Sequence, residues 1–170
     1  HLAVECPLAG EHQVANALAA AIALDMAGFP PDGIRDTCWP GRLERVHRAP
    51  DIVLDGAHNP AGARALARYI ERFYPGRRIW MIYAAMRDKA VEETAAILFP
   101  LAHEVIATAP AQSRAIRPEV IRELADHPRV RVAPRLADAL AMISGAAPED
   151  AVFITGSLFI VGEARALLVQ

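Results

Sequence analysis

Short apolar runs and longer amphipathic stretches alternate along most of the chain. Continuous apolar runs such as Ile52–Leu54 and Val152–Ile154 indicate strands that are buried on both faces of a sheet. The pattern predicts strands at Leu43–His47, Asp51–Leu54, Arg78–Tyr83, Glu104–Thr108, Val130–Val132 and Ala151–Thr155. It predicts helices between or after them, at Ala61–Phe73, Ala90–Phe99, Arg117–Ala125, Leu136–Ser144 and Ser157–Leu168.

The connections between these elements predict the topology. Only the segment Arg48-Ala49-Pro50 joins the first two strands, which is too short for a crossover, so this pair should form an antiparallel hairpin. The later connections are long enough for helical crossovers between parallel strands. The expected fold is therefore an α/β domain with a mostly parallel six-stranded sheet, one antiparallel edge strand and helices on both faces.

An alanine-rich segment precedes the first strand. The stretch GEHQVANALAAAIALDMAGFPPDGI predicts one helix that ends near Gly28, because Pro30 and Pro31 cannot continue it. The helix is apolar nearly all round, so we expect it to be buried on more than one side. A linker-like stretch rich in proline and glycine then leads to Trp39 and the first strand.

Composition limits the classes of protein. A hydrophobic content of 54% in 170 residues can bury a real core, and a net charge of -2 argues against a general nucleic-acid or membrane-surface protein. The longest apolar stretch, Ala15 to Ala27, is interrupted by Asn16 and Asp25 and is too short to span a bilayer. Cys6 and Cys38 form no metal-like spacing, which favours a reducing, cytoplasmic location.

Polar residues follow two of the predicted buried strands. Asp55 and His58 come after the strand 51–54, and Gly156 and Ser157 come after the strand 151–155. The carboxyl ends of parallel strands border the usual ligand crevice, and a helix start favours anions. The alternative is structural: Asp55 caps the next helix and Ser157 is the N-cap of its own helix.

Three further segments carry candidate chemistry. Arg42 follows a tight Pro-Gly turn, which suits phosphate recognition, although the segment can equally be a linker anchored by Trp39. Asn16 lies on one helix face with His12, where an amide can bind an adenine edge or a neighbouring loop. Lys89 can neutralise phosphate or carboxylate, or can begin a solvated helix. The chain contains no P-loop, no GxGxxG, no HExxH and no GxSxG sequence.

Five segments occur in a characteristic order: GEHQVAN, WPGRLE, DGAHNP, MRDK and TGSLFIVGEAR. In this order and spacing the chain resembles the bifunctional dihydrofolate synthase/folylpolyglutamate synthase family, one of the Mur ligases, over essentially its whole length. One departure is Ala90, where the family often has a second acid. The resemblance implies a Rossmann-like domain at residues 41–170. It implies that residues 1–40 are the last helix of an N-terminal P-loop ATPase domain plus a linker.

The resemblance also implies an activity. Family members use ATP to activate a carboxylate of dihydropteroate or a folate as an acyl phosphate, and the amine of L-glutamate then forms the amide. Mg²⁺ serves the phosphates, and its ligands are expected in the ATPase domain. On this interpretation the chain is the C-terminal portion of a longer enzyme, which accounts for its start at His1, and it is inactive alone.

Matched onto this sequence, the family places Asn16 at adenine, Arg42 at phosphate and Asp55 near the ribose of ATP. It places His58 and Ser157 near the glutamate or acyl-phosphate end. The resemblance leaves open which of the two synthase activities the parent enzyme has. A non-catalytic α/β nucleotide-binding or interaction module remains the alternative, and the reading frame upstream of His1 would distinguish the two.

Overall fold

The computed structural model describes residues 3–87 and 90–169. Over these residues the chain forms the strands β1 (Glu44–His47), β2 (Asp51–Leu54), β3 (Ile79–Tyr83), β4 (Glu104–Ala107), β5 (Val130–Val132) and β6 (Ala151–Thr155). The α-helices are α1 (Glu11–Met26), α2 (Pro60–Phe73), α3 (Val91–Leu98), α4 (Pro118–Leu124), α5 (Leu136–Met142) and α6 (Leu158–Leu168). Short 3₁₀ helices cover Asp32–Asp36 and Phe99–Leu101.

The strands form one six-stranded sheet in the order β1-β2-β6-β3-β4-β5. β1 pairs antiparallel with β2, as the short connection predicted, and the other neighbouring pairs are parallel. The expected fold class is therefore confirmed. The last strand of the chain, β6, is inserted between β2 and β3, so the crossover through α2 passes over it.

Helices cover both faces of the sheet. Val53 of β2 packs with Leu66 of α2 in a core that also includes residues of α3 and α4. Its neighbour Leu54 points to the opposite face and packs with Ile160 of α6 and Leu136 of α5. This alternation follows from the period of two in a strand. The central strands β2, β3 and β6 are buried along their whole length, which explains their continuous apolar runs.

Helix α1 differs from the expectation that it is buried on more than one side, and that expectation is wrong. Gln13 and Ala21 are its buried residues, and it lies beside α2, where Glu11 pairs with Arg72. The large apolar side chains that remain exposed on it are spaced four apart along one face: Val14, Leu18, Ile22 and Met26. Alanine content sets helix propensity but not burial. No helix in the described part of the chain is long and apolar enough to cross a membrane.

Candidate functional site

The carboxyl ends of β2 and β6 lie side by side because the two strands pair in parallel. The helix that follows β2 covers one face of the sheet, and the helix that follows β6 covers the other. The chain diverges at this point, which is the usual ligand position in an open parallel sheet, and we call the region beyond these two strand ends the β2–β6 crevice. The Asp55 N–H donates to the Ile154 carbonyl at 3.1 Å, and the Gly156 N–H donates to the Ala57 carbonyl at 3.0 Å. These bonds join the two loops that line this β2–β6 crevice.

Asp55 lies at the base of the crevice and is only 5% exposed. Its Oδ2 accepts a hydrogen bond from the Leu43 N–H at 3.0 Å, and its Oδ1 accepts one from the Ala57 N–H at 3.0 Å. Asp55 is not the cap of α2, because Asn59 holds that position and its Oδ1 accepts from the Gly62 N–H at 2.8 Å. The structural alternative for Asp55 is therefore wrong as stated, although the carboxylate does fix two loops.

Burial raises the pKa of Asp55 above its usual value of 3.8. The hydrogen bonds from Leu43 and Ala57 act in the opposite direction, as do the positive charges of Arg42 and His12. A buried carboxylate needs such partners, since an unpaired charge in this environment is costly. The charges of Arg42 and His12 thus favour the ionised form of Asp55.

Arg42 lies in a tight turn, residues 39–44, that is held at several points. The Gly41 carbonyl accepts from the Gly56 N–H at 2.8 Å. Leu43 has a φ of 48°, a left-handed conformation that is uncommon for a leucine, and its N–H is the one bound by Asp55. The Arg42 guanidinium lies 6.0 Å from the centre of the Trp39 ring. The turn therefore presents one cation beside the crevice on a backbone that Asp55 helps to fix.

His58 lies half-buried on the loop between β2 and α2. Its Nδ1 is 2.8 Å from the Gly56 carbonyl oxygen. Because a carbonyl can only accept, Nδ1 carries a proton, so Nε2 is the acceptor nitrogen in the neutral form of the ring. The loop thus orients the imidazole so that one nitrogen is free to accept a hydrogen bond or a proton.

Ser157 follows β6 and is 2% exposed. It is the N-cap of α6, and its Oγ accepts from the Phe159 N–H at 3.2 Å. The preceding Gly156 has a φ of 96°, and a Cβ at this position would lie 2.3 Å from the Ala84 carbonyl oxygen. Only glycine fits here, so the backbone of β6 can approach β3 closely and place Ser157 at the crevice.

Asn16 lies outside the β2–β6 crevice. It lines a neighbouring cavity of ≈ 200 Å³, whose wall includes the apolar residues Leu8, Ala17 and Ile34 and the indole of Trp39. The Asn16 Nδ2 donates to the Gln13 Oε1 at 3.2 Å. We call this space the Trp39 cavity. His12, four residues before Asn16, lines instead a groove between α1 and α2.

Trp39 lies between the Trp39 cavity and the β2–β6 crevice. One part of its ring lines the Trp39 cavity, and Arg42 at the crevice lies over the same ring. Of the predicted site residues, the structure therefore brings Arg42, Asp55, His58 and Ser157 to one crevice and places Asn16 in the adjoining cavity. Lys89 lies outside the described residues.

Two charged residues at this site were not singled out by the sequence. Glu44 accepts from the Gly41 N–H at 2.8 Å through Oε2, and the Arg165 Nε donates to its two carboxylate oxygens at 3.0 and 3.2 Å. Arg165 belongs to α6, far along the chain. Both residues lie within the segments WPGRLE and GEAR, so the motifs contained the signal, but their spacing did not reveal the pairing.

The candidate site lacks the ligand set of a metal centre in the described residues. Among the described residues there is no group of three or more His, Cys, Asp or Glu side chains that could hold an ion. Mg²⁺ needs several carboxylate or other oxygen ligands together, and Asp55 does not belong to such a cluster. The described residues therefore do not fit a magnesium site.

Comparison with known proteins defines the class. Residues 41–158 match the family model described as "Mur ligase, glutamate ligase domain". The chain belongs to this Mur ligase family, as the five sequence segments predicted.

Within the Mur ligase family, the chain is similar to proteins named folylpolyglutamate synthase and dihydrofolate synthase. The chain is 39% identical to a Halobacterium salinarum protein named probable bifunctional folylpolyglutamate synthase/dihydropteroate synthase, over 96% of the chain and 21% of that protein. It is 34% identical to the dihydrofolate synthase/folylpolyglutamate synthase of Mycobacterium tuberculosis, over 95% of the chain and 39% of that protein.

A solved structure agrees with these sequence relatives. The crystal structure of M. tuberculosis folylpolyglutamate synthase complexed with ADP and AMPPCP superposes with a TM-score of 0.86 and 33% identity, covering 98% of this chain and 42% of that one. The chain thus spans between about a fifth and two-fifths of the length of these relatives.

Proposed function

We propose that the chain is the glutamate ligase portion of an ATP-dependent carbon–nitrogen ligase that adds L-glutamate to dihydropteroate or a folate. Membership of the glutamate ligase domain family supports this proposal. So do relatives that are named folylpolyglutamate and dihydrofolate synthases. The observation that carries it is the β2–β6 crevice. The arginine Arg42, the buried carboxylate of Asp55, the oriented imidazole of His58 and the helix-capping Ser157 lie together there.

The Trp39 cavity is proposed to hold the adenine of ATP. Its apolar wall suits a flat heteroaromatic ring, and the indole of Trp39 offers a stacking surface. Asn16 supplies both a donor and an acceptor, which is the pair that the edge of adenine presents. The amide of Gln13 already binds Asn16 and would hold it in one orientation.

The phosphates are proposed to pass from this cavity toward Arg42. The guanidinium lies over the Trp39 ring that borders the adenine cavity, so one nucleotide can contact both. Asp55 is proposed to lie near the ribose. Each of its oxygens accepts one backbone N–H and retains a lone pair that can accept from a hydroxyl.

His58 and Ser157 are proposed to act at the glutamate or acyl-phosphate end. In the neutral form of the ring, Nε2 of His58 can accept a hydrogen bond from the incoming amine. The Ser157 hydroxyl uses its oxygen to cap α6, and its proton remains available for a carboxylate or phosphoryl oxygen. The start of α6 adds its partial positive charge at the same place.

The proposed reaction follows from this arrangement. ATP transfers its terminal phosphoryl group to the substrate carboxylate, and the amine of L-glutamate attacks the resulting acyl phosphate. The C–N bond forms, phosphate leaves, and the amine proton passes to a base. The acyl phosphate must be kept from water and in line with the amine, and a cleft between two domains meets both needs.

A second domain is part of the proposal. We infer that residues 1–40 belong functionally with a P-loop ATPase domain, and that residues 41–170 form the ligase-type domain. The family match begins at residue 41, which supports this boundary, and α1 buries little of itself against the sheet domain. The ligands of Mg²⁺ and the phosphate loop are proposed to lie in the ATPase domain, so the 170-residue chain alone should not form the amide.

Nucleotide contact is tested by an NMR titration of the chain with ATP, because NMR also detects millimolar binding. We expect shifts at the Trp39 indole and the Asn16 side-chain amide. Arg42→Ala should weaken ATP binding about tenfold or more, since a hydrogen bond to a charged group contributes roughly 1.5–3 kcal/mol. The control is Arg131→Ala, whose guanidinium pairs with Glu104 at 2.8 Å at the opposite end of the sheet. Equal ATP affinity for both variants would contradict the proposed phosphate contact.

Ligation is tested separately. Two samples are compared: the chain alone, and a chimera in which the chain replaces the matching segment of the M. tuberculosis synthase. Each is incubated with ATP, Mg²⁺, labelled L-glutamate and either dihydropteroate or tetrahydrofolate. We expect product from the chimera and none from the chain alone. Product from the chain alone would refute the two-domain proposal. A folded chimera that binds ATP but forms no product would refute the ligase function.

A further inference from the structure

We infer that Glu44 and Arg165 are positioning residues for Arg42: their ion pair fixes the turn that presents this arginine to the phosphates of a nucleotide. The inference rests on the proposed phosphate contact of Arg42. It assigns a role to the GEAR segment, which lies in the last helix.

The first step is the geometry of the turn. Gly41 has a φ of 72°, and a Cβ at this position would lie 2.6 Å from the Cγ1 of Val161 in α6. The chain therefore passes against α6 immediately before Arg42. The N–H of Gly41 donates to Glu44 Oε2 at 2.8 Å, so the side chain of Glu44 closes the turn around Arg42.

The second step is the support of Glu44 itself. The Arg165 Nε lies 3.0 and 3.2 Å from the two carboxylate oxygens. The Glu44 side chain is 23% exposed, so the pair is partly shielded from water. The carboxylate of Glu44 thus has two partners, the N–H of Gly41 and the guanidinium of Arg165. With Arg165 removed, Glu44 can turn to solvent and release Gly41.

The third step is that the turn is strained and needs this support. Leu43 holds a left-handed φ of 48°, which is a strained conformation for a residue other than glycine. Asp55 holds Leu43 on one side of Arg42, and Glu44 holds Gly41 on the other. If either clamp is lost, the backbone at Arg42 can relax, and the guanidinium loses its fixed position.

The test uses the whole chain with ATP, adenosine and tripolyphosphate as separate NMR probes. We expect Glu44→Gln and Arg165→Met to weaken ATP and tripolyphosphate about threefold to tenfold, and adenosine by less than twofold, because only phosphate contacts depend on Arg42. In an Arg42→Ala background the Arg165→Met change should have no further effect on ATP. Arg165→Lys should restore part of the affinity.

The matched control is Arg131→Met, which breaks the ion pair between Arg131 of β5 and Glu104 of β4; its side-chain exposures are 48% and 13%, against 41% and 23% for Arg165 and Glu44. It should lower the melting temperature to a similar degree without changing either affinity. If Arg165→Met weakens adenosine as much as ATP, or adds its full effect to Arg42→Ala, the positioning role is wrong. If ATP does not bind the unmodified chain, or Arg42→Ala binds it normally, the phosphate proposal itself fails.

Discussion

The substitution Asp55→Ala tests the centre of the site most directly. It removes a carboxylate that accepts backbone N–H groups of Leu43 and Ala57, each at 3.0 Å. A buried hydrogen bond to a charged acceptor contributes roughly 1.5–3 kcal/mol. Part of this gain is offset because burial opposes ionisation of the same group, which is why its pKa is raised. We therefore expect a net loss of about 2–4 kcal/mol in the free energy of unfolding.

The affinity of Asp55→Ala for ATP should fall together with its stability. Without the carboxylate, the left-handed Leu43 is free to relax, and the turn that carries Arg42 loses one clamp. The proposed ribose contact is lost as well. Together these changes should weaken ATP binding by about tenfold to a hundredfold. Stability is measured by urea unfolding with the m-value checked, and affinity by NMR titration under conditions where the variant is folded.

Asp150 provides the matched control. It is also buried, and its Oδ2 accepts from the Trp80 Nε1 at 2.9 Å and from the Ala147 N–H at 3.0 Å, next to the amino end of β6. Asp150→Ala should cost a similar unfolding free energy and leave ATP affinity unchanged. Equal ATP affinity in both variants would remove Asp55 from the nucleotide site. A loss below about 1 kcal/mol for Asp55→Ala would refute the clamp.

Three further outcomes are expected. The stability of the wild type, relative to Asp55→Asn, should fall as the pH rises from below 3.8. The pKa of Asp55 is raised in the folded state, which therefore keeps a proton that the unfolded state has released. Unfolding curves at several pH values test this, and a relative stability that rises with pH would refute it. Asn59→Ala should cost about 1 kcal/mol by removing the cap of α2, with most of the loss restored by Asn59→Ser in the same unfolding assay. Gly156→Ala should prevent folding or lower the free energy of unfolding by more than about 2 kcal/mol, because the added Cβ would lie 2.3 Å from the Ala84 carbonyl oxygen. Gly145→Ala should be nearly neutral, because its Cβ would meet nothing within 4 Å. Circular dichroism melting measures both variants.

The sequence predicted the sheet well because its information is local. Runs such as Ile79–Tyr83 and Ala151–Ile154 are apolar throughout, and the observed bounds of the strands and helices after Trp39 lie within two residues of the predicted ones. The position of β6 between β2 and β3 was not predicted. Strand order depends on which distant faces pack together, and no periodicity in a single strand contains that information.

The sequence predicted the position of candidate residues that follow a strand end, and it missed contacts between residues that are far apart in the chain. Asp55 and Ser157 stand at carboxyl ends, so the rule for parallel sheets found them. Glu44 and Arg165 are 121 positions apart, and nothing local distinguishes them from exposed charges. The pattern of α1 also misled, because it describes how apolar a helix is and not what it packs against.

The insertion of β6 explains why the crevice and its support occur together. β6 lies beside β2, and the helices that follow these two strands, α2 and α6, cover opposite faces of the sheet, so the chain diverges beyond the strand ends. The same placement brings α6 against the segment before β1, where Val161 packs on Gly41 and Arg165 reaches Glu44. With β6 at the edge of the sheet, α6 could not reach this turn, and Arg42 would depend on Asp55 alone. One topological choice thus brings the candidate site and the proposed support of Arg42 together.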